Sequence, residues 1–324
     1  MTGVRPGNFA PVAIVSRSGV DESVHFGALV GLTADGSVAF TVGDVDTPIY
    51  PRSSTKPLQA LAMVRAGLML PPEQLALVCS SHNGEPSHLD TARLILSAHG
   101  LDESHLGNTA AHPYHAESAN AAVRAGVPKS SLQMNCSGKH AGMLATCVVN
   151  GWPTDGYLAQ DHPLQLAITR TIAELTGADP VAIGLDGCGA PAHVMRLDLL
   201  ARAMRAISVG DAGDSGTAIH RAMSGHPYMV GGAGRPVTAL MLAVPGLMAK
   251  DGAEAVFIAA HRDGRTVALK VSDGSGRADI TVTVDALRRL GVDVPVDVRD
   301  LTEIVRGHGK PVGGVRSIAF GDGA

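Results

Sequence analysis

Strand-forming sequence occupies both ends of this 324-residue chain, and the long middle reads as helix. Near the start, the segments 11–15, 24–30 and 38–42 are short apolar or alternating runs, with an Asp35-Gly36 turn signal between the last two. Strand texture returns at 255–259 and 266–271. Between the ends, helical periodicity recurs over 54–66, 72–79, 86–98, 116–125, 138–149, 163–176, 191–207 and 215–223, with Pro- and Gly-rich joins, while 180–184 reads as a short strand. Two strand-rich ends satisfy their backbone hydrogen bonds by pairing with one another, and the helices then pack on that sheet as a second layer. The expected fold is therefore α+β, an antiparallel sheet flanked by helices. It forms a single domain over 1–324, either compact or bilobed, with the helical middle (54–225) on a sheet built from both ends. A helix over 279–290 and a short tail ending in flexible Gly-rich sequence complete the expected chain.

Composition narrows the function classes. At 45% hydrophobic residues the chain can bury a large core, and at 3% aromatics that core is one of Ala, Val, Leu and Met. A net charge of −4, with no basic run and no aromatic platform, excludes a nucleic-acid partner. No apolar stretch approaches the ~18 residues of a membrane span. The first residues lack a basic start followed by an apolar run, so no signal peptide is expected. Four cysteines in a chain of this length do not make a disulfide scaffold, and a reducing cytoplasm is the expected compartment.

The run 50–61 carries Ser53-x-x-Lys56 at the head of an expected helix. Residues three apart share a helix face, so hydroxyl and amine can meet, and an unprotonated lysine can then take the serine proton. Leu58, Leu61, Ala62 and Val64 supply an apolar stripe, and Ser53 suits an N-cap. Pro57 disfavours the α conformation at Lys56, which predicts a helix that starts late or through a distorted turn. The alternative is a capping serine followed by a solvated lysine. Lysine is scarce here, six against twenty arginines, so each one merits attention. Lowering a lysine from about 10.4 to about 7 costs roughly 4.6 kcal/mol. Burial and a neighbouring cation can supply that shift only in a closed, partly dry site.

Three further clusters stand out. Cys79-Ser80-Ser81-His82-Asn83-Gly84-Glu85 closes a helix and opens a turn, and by itself it is ordinary turn chemistry. In Asn135-Cys136-Ser137-Gly138-Lys139-His140, Asn135 or Ser137 can cap the next helix, placing its free amides and positive dipole beside Cys136 and Lys139. The Gly138-Lys139 pair is no phosphate loop, because Asn135 and His140 break the required pattern. Gly184-Leu185-Asp186-Gly187-Cys188-Gly189-Ala190-Pro191 is a strand-to-turn-to-helix passage whose glycines allow close backbone approach. Two cysteines with a lysine and an aspartate match no standard zinc spacing, so two free thiols in a glycine-rich core compete with a metal reading. Lys270, at the end of an apolar run, is either a snorkelling edge residue or a second positive charge in the site.

Taken in order, these runs resemble one family. Pro-Arg-Ser-Ser-x-Lys-Pro with Gln59, Cys-Ser-Ser-His-x-Gly-Glu, Asn-Cys-Ser-Gly-Lys-His-Ala-Gly-Met-Leu, Gly-x-Asp-Gly-Cys-Gly-x-Pro, His-Pro-x-x-Val-Gly-Gly and a strand lysine are similar to those of the Rhizobium etli-type L-asparaginases, the asparaginase II family, across essentially the whole chain. The resemblance implies a fold related to serine β-lactamases and glutaminases, in a homodimer. It implies two Ser-Lys pairs, Ser53 with Lys56 and Ser81 with Lys270, with Ser80 beside Ser81 as a one-residue ambiguity. It also implies a zinc ion held by Cys136, Lys139 and Cys188, with Asp186 adjacent, that tunes the site without generating the nucleophile.

The implied activity is hydrolysis of L-asparagine to L-aspartate and ammonia through a serine acyl-enzyme. Ser53 attacks, Lys56 is the base, and Ser81 with Lys270 shuttles protons or stabilises charge. Arg52 and Arg235 are candidates for the substrate α-carboxylate, and Asp186 or Glu85 for its ammonium. Three alternatives stand beside this: a glutaminase or other Ser-Lys amidase, a non-catalytic Cys/Lys metal-binding protein, and a Ser-His-Asp hydrolase drawing on the fourteen histidines.

Overall fold

The computed structural model describes residues 3–296, 301 and 303–321. The chain divides into two compact units, one of Met1–Ser54, Val194–Val209 and Gly234–Ala324, the other of Thr55–His193 and Gly210–Ala233.

The first unit is built on an antiparallel sheet in the order β10-β11-β1-β2-β9-β8-β7, with β3 also paired to β2. The N-terminal strands are β1 (Ala10–Arg17), β2 (Val20–Leu32) and β3 (Val38–Val42). The C-terminal ones are β7 (Leu247–Gly252), β8 (Val256–His261), β9 (Thr266–Val271), β10 (Ile304–Gly307) and β11 (Lys310–Ser317). The two ends of the chain pair twice, through β2 with β9 (Leu29↔Leu269) and through β1 with β11 (Val15↔Val315). β8 and β9 are buried along nearly their whole length, as continuous apolar runs are when covered on both faces. The helices of this unit are α7 (Leu197–Val209), which packs on β2, β8 and β9, α10 (Pro236–Ala243), which packs on β7, and α11 (Asp279–Arg289), which packs on β8, β9 and β11.

The second unit is mostly helical. It contains α1 (Lys56–Arg65), α2 (Pro72–Val78), α3 (Pro86–Ser97), α4 (Ala116–Arg124), α5 (Ser137–Asn150), α6 (Pro163–Thr176), α8 (Gly213–Gly225) and α9 (Pro227–Val230), with the strand β5 (Ala182–Leu185). α5 packs against α1, α2 and α3 and is buried from Ser137 to Cys147. Two glycines four apart let it approach α2. A Cβ on Gly138 would stand 2.5 Å from the Leu77 carbonyl, and one on Gly142 would stand 2.7 Å from the Val78 side chain.

Several stretches differ from the sequence expectation, which also lacked α10 and β7. The segment 191–207 is not helical throughout: Pro191–Arg196 is a strand, β6, and the helix starts at Leu197. Met195 and Arg196 pair with Ile49 and Pro48 of β4 (Pro48–Ile49), partners far off in sequence that outweigh local periodicity. The tail after 290 carries two strands that the sequence reading did not expect, β10 and β11, while its last residues, 322–324, lie outside the described residues. Gly313 lies against β1 so closely that a Cβ would stand 1.9 Å from the Ser16 carbonyl, so this glycine serves contact and not mobility. Among the described residues, no helix is long and apolar enough to cross a membrane.

Candidate active site

Lys56 is the first residue of α1, where Pro57 places it. Proline restricts the preceding residue and donates no amide, so the chain enters the helix through a 3-10 turn, Arg52–Thr55, as the late start predicted from sequence requires. Arg52 has a left-handed φ of 54° one residue before Ser53. Such a conformation costs a non-glycine residue roughly 1–3 kcal/mol and needs surrounding structure to hold it. That structure is the sheet of the first unit: the Ser54 hydroxyl donates to the Val256 carbonyl at 3.2 Å, and Gly252 passes within 2.6 Å (Cβ position) of the Pro51 carbonyl. Ser53 is half-buried on this turn.

In the helical unit, Lys56 is 1% exposed. Its amine donates to the Ser80 carbonyl, to Ser81 Oγ at 3.0 Å and to Cys136 Sγ at 3.2 Å. The hydroxyl on the lysine is therefore that of Ser81, a pairing different from the Ser81–Lys270 pair expected from the resemblance. Ser80 Oγ, beside it, is buried without a hydrogen-bond partner. The segment bearing Ser81 is clamped by its backbone: Ser81 N donates to the Val230 carbonyl at 3.0 Å, His82 N to Asn135 at 3.1 Å, and Asn83 N to Gly231 at 2.9 Å.

Next to this pair, Lys139 (1% exposed) donates to Cys188 Sγ at 3.2 Å, and Cys136 and Cys188 pack in one buried cluster. The Cys188 thiol, helped by the Lys56 and Lys139 charges, holds the Cys136 thiol well below the usual thiol range in spite of burial. Burial works against the charged form of Lys139, but the Cys188 and Cys136 sulfurs and Asp186 outweigh it and raise the amine. Neither Asn135 nor Ser137 caps α5 with its side chain. The N-cap is Cys136, and Ser137 instead meets His82. Burial and the Lys139 charge push His140 and His193 down to about 4, so both imidazoles are neutral.

Two soft sulfur donors and an amine that already touch one another fit a thiophilic divalent cation by donor chemistry. Among the described residues no three His, Cys, Asp or Glu side chains are grouped to hold a metal, so an ion here takes the Lys139 amine as its third donor. That amine must first lose its proton.

The other expected site residues lie in the sheet unit, except Asp186 and Glu85. Lys270, on β9, is 7% exposed and donates to the Glu254 carbonyl. Burial, and to a smaller extent Arg52, lowers its pKa against the opposing pull of Glu254 and Asp273. Arg235, a candidate for the substrate carboxylate, is engaged with Asp251 at 2.5 Å. Asp186 accepts from the Gly187 amide at 2.7 Å. Glu85 accepts from the Ala233 amide at 3.1 Å.

Sequence reasoning passed over Lys250. It is wholly buried on β7 and donates to Asp251 Oδ1 at 2.6 Å, which joins Lys250, Asp251 and Arg235 in one charged group. The available signal was a scarce lysine inside the apolar run Leu247-Met248-Ala249-Lys250.

Comparison with known proteins adds a family. A family model described as L-asparaginase II matches residues 13–317. No curated protein matches this chain. Among solved structures, a crystal structure of Mglu in its native form in the presence of 4.3 M NaCl is similar over 87% of this chain, with a TM-score of 0.37 and 12% identity. This chain spans 66% of the length of that protein.

Proposed function

Because this chain belongs to the L-asparaginase II family, we propose that it is an amidohydrolase that converts L-asparagine to L-aspartate and ammonia through a serine acyl-enzyme. The observation that supports this reading best is the buried Lys56 amine on the Ser81 hydroxyl at 3.0 Å. A serine oxygen attacks the side-chain amide carbon, and its proton passes to the Lys56 amine. The tetrahedral intermediate collapses as that proton is handed to the leaving nitrogen, and ammonia departs. Water then attacks the ester, with Lys56 again taking the proton, and aspartate is released.

Ser53, on its strained turn three residues before the lysine, is the nucleophile in this reading. A second reading gives that role to Ser81, because its oxygen is the one hydrogen-bonded to Lys56. Lys270 supplies the second amine, and the fully buried Lys250 is its rival. Arg52 and Arg235, the latter paired with Asp251 at 2.5 Å, are the guanidiniums for the substrate carboxylate in this reading. Cys136, Lys139 and Cys188 hold a zinc ion in this proposal. When bound, it supplies a fixed positive charge beside the reacting groups. In this proposal the chain acts as a homodimer in the cytoplasm.

Parallel assays of ammonia release from asparagine and glutamine test the activity. Turnover of asparagine that is lost in Lys56→Met supports it. Rapid glutamine hydrolysis with no asparagine turnover overturns the substrate assignment, and full activity in Lys56→Met overturns the mechanism.

A further inference from the structure

His82 follows Ser81 directly and is fully buried. Its ring is held at both nitrogens: Nδ1 accepts from the Gly84 amide at 3.0 Å, and Nε2 lies 2.9 Å from Ser137 Oγ. A backbone amide can only donate, so Nδ1 carries no proton and the ring proton sits on Nε2, directed at Ser137. One face of the ring stacks on His88 at 5.2 Å, and His88 in turn stacks on Tyr228 at 5.0 Å. His88 is fixed in the same tautomer, with Nδ1 accepting from the Glu85 amide at 3.2 Å and Nε2 donating to the Tyr228 carbonyl at 3.0 Å.

The consequence lies at Cys136. His82 binds the residue on either side of it, Asn135 through its backbone amide at 3.1 Å and Ser137 through its ring at 2.9 Å. Cys136 is bracketed between these two bonds, and its sulfur sits 3.2 Å from the Lys56 amine. The same amine reaches Ser81, whose place in the chain is fixed by being next to His82. One residue therefore sets the distance between the hydroxyl and the sulfur that share a lysine.

We propose that His82 is a positioning residue that bonds Asn135 and Ser137 on either side of Cys136 and so holds the Lys56, Ser81 and Cys136 side chains in one array. Its imidazole takes no part in proton transfer, because both ring nitrogens are committed to protein groups. The inference rests on the proposed amide hydrolysis for its effect on rate but not for its effect on structure.

The test compares His82→Ala, His82→Gln and Ser137→Ala in the full chain by three readouts. Alkylation of each cysteine by iodoacetamide, followed by mass spectrometry, reads the packing of Cys136 without reference to activity. It is expected to rise about tenfold at Cys136 in His82→Ala and Ser137→Ala, with Cys79 and Cys147 unchanged, as for an oriented side chain that loses one of its supports. Steady-state kinetics on asparagine are expected to show kcat reduced about a hundredfold with KM within about threefold, the effect of a ~1 Å misplacement of a reacting group. Gln at position 82 can still donate to Ser137, so it restores both readouts to near the parent values. Thermal melts identify any variant that fails to fold, and Ser137→Ala, which removes only one oxygen, carries the test if His82→Ala does. Unchanged Cys136 alkylation in folded Ser137→Ala overturns the proposal, as does His82→Gln behaving like His82→Ala. An inactive parent chain overturns the hydrolase reading alone, since the alkylation result is independent of it.

Discussion

The Lys56 amine lies 3.0 Å from the Ser81 hydroxyl and 3.2 Å from the Cys136 sulfur, with all three side chains at or below 5% exposure. A lysine so enclosed is not one that local helix chemistry requires, and burying it without use would cost several kcal/mol. The same amine joins a candidate nucleophile to a candidate metal ligand, which makes it the residue whose loss tells most.

Lys56→Met, which keeps the side-chain length and removes the base, is expected to lower kcat for asparagine by at least about 1000-fold, within the range general-base removal produces. Ser53→Ala and Ser81→Ala should each lower it strongly. Mass spectrometry of an acid-quenched reaction decides which serine carries the acyl group, because only the variant that keeps the nucleophile retains the added mass.

Zinc binding at Cys136, Cys188 and Lys139 displaces the proton of the Lys139 amine, which its neighbours hold above the usual range. Affinity should therefore rise with pH between about 6 and 8, with proton release visible as a buffer-dependent heat in titration calorimetry. Lys139→Ala and Cys188→Ala should lose zinc by elemental analysis. Equal zinc content in these variants and the parent would rule the site out.

Asp279 opens α11, and burial, reinforced by the Asp251 charge, pushes its carboxyl up to about 7 in the folded chain. The folded state then holds a proton that the unfolded chain has already released, so stability falls as pH rises from about 4 through 7 and levels off above it. The change is at most about 4 kcal/mol, less whatever solvent reaches the group. Denaturant titrations from pH 4.5 to 8 should show this decline in the parent chain and not in Asp279→Asn. Arg235 opposes the shift and Glu303 adds to it, so substitutions there should move the midpoint in opposite directions.

Gly138→Ala places a methyl group 2.5 Å from the Leu77 carbonyl, where backbone and not a flexible side-chain end must yield. Overpacking of this kind costs typically ~1–3 kcal/mol, and here it also shifts the start of α5. A lower Tm together with lost activity is expected. Gly151→Ala, at the C-cap of the same helix with open space around it, provides the comparison for a left-handed glycine without a clash.

The ends-and-middle pattern of strand and helix was legible in the chain itself because apolar periodicity is a local property, and it predicted that the two ends pair, as β2 and β9 do, but not the second pairing, of β1 with β11. Scarce lysines were legible for a similar reason, since residue type and rarity need no coordinates, whereas the Cys136–Lys139–Cys188 grouping came from the family resemblance. Only the tertiary structure decided that the lysine three residues after Ser53 meets Ser81, that His82 brackets Cys136, that Lys250 is buried, and that glycines in the tail lie against β1. Each of these depends on contacts between segments far apart in sequence. Such contacts are set by packing and by which hydrogen bonds remain to be made, and neither is encoded in any one stretch of the chain.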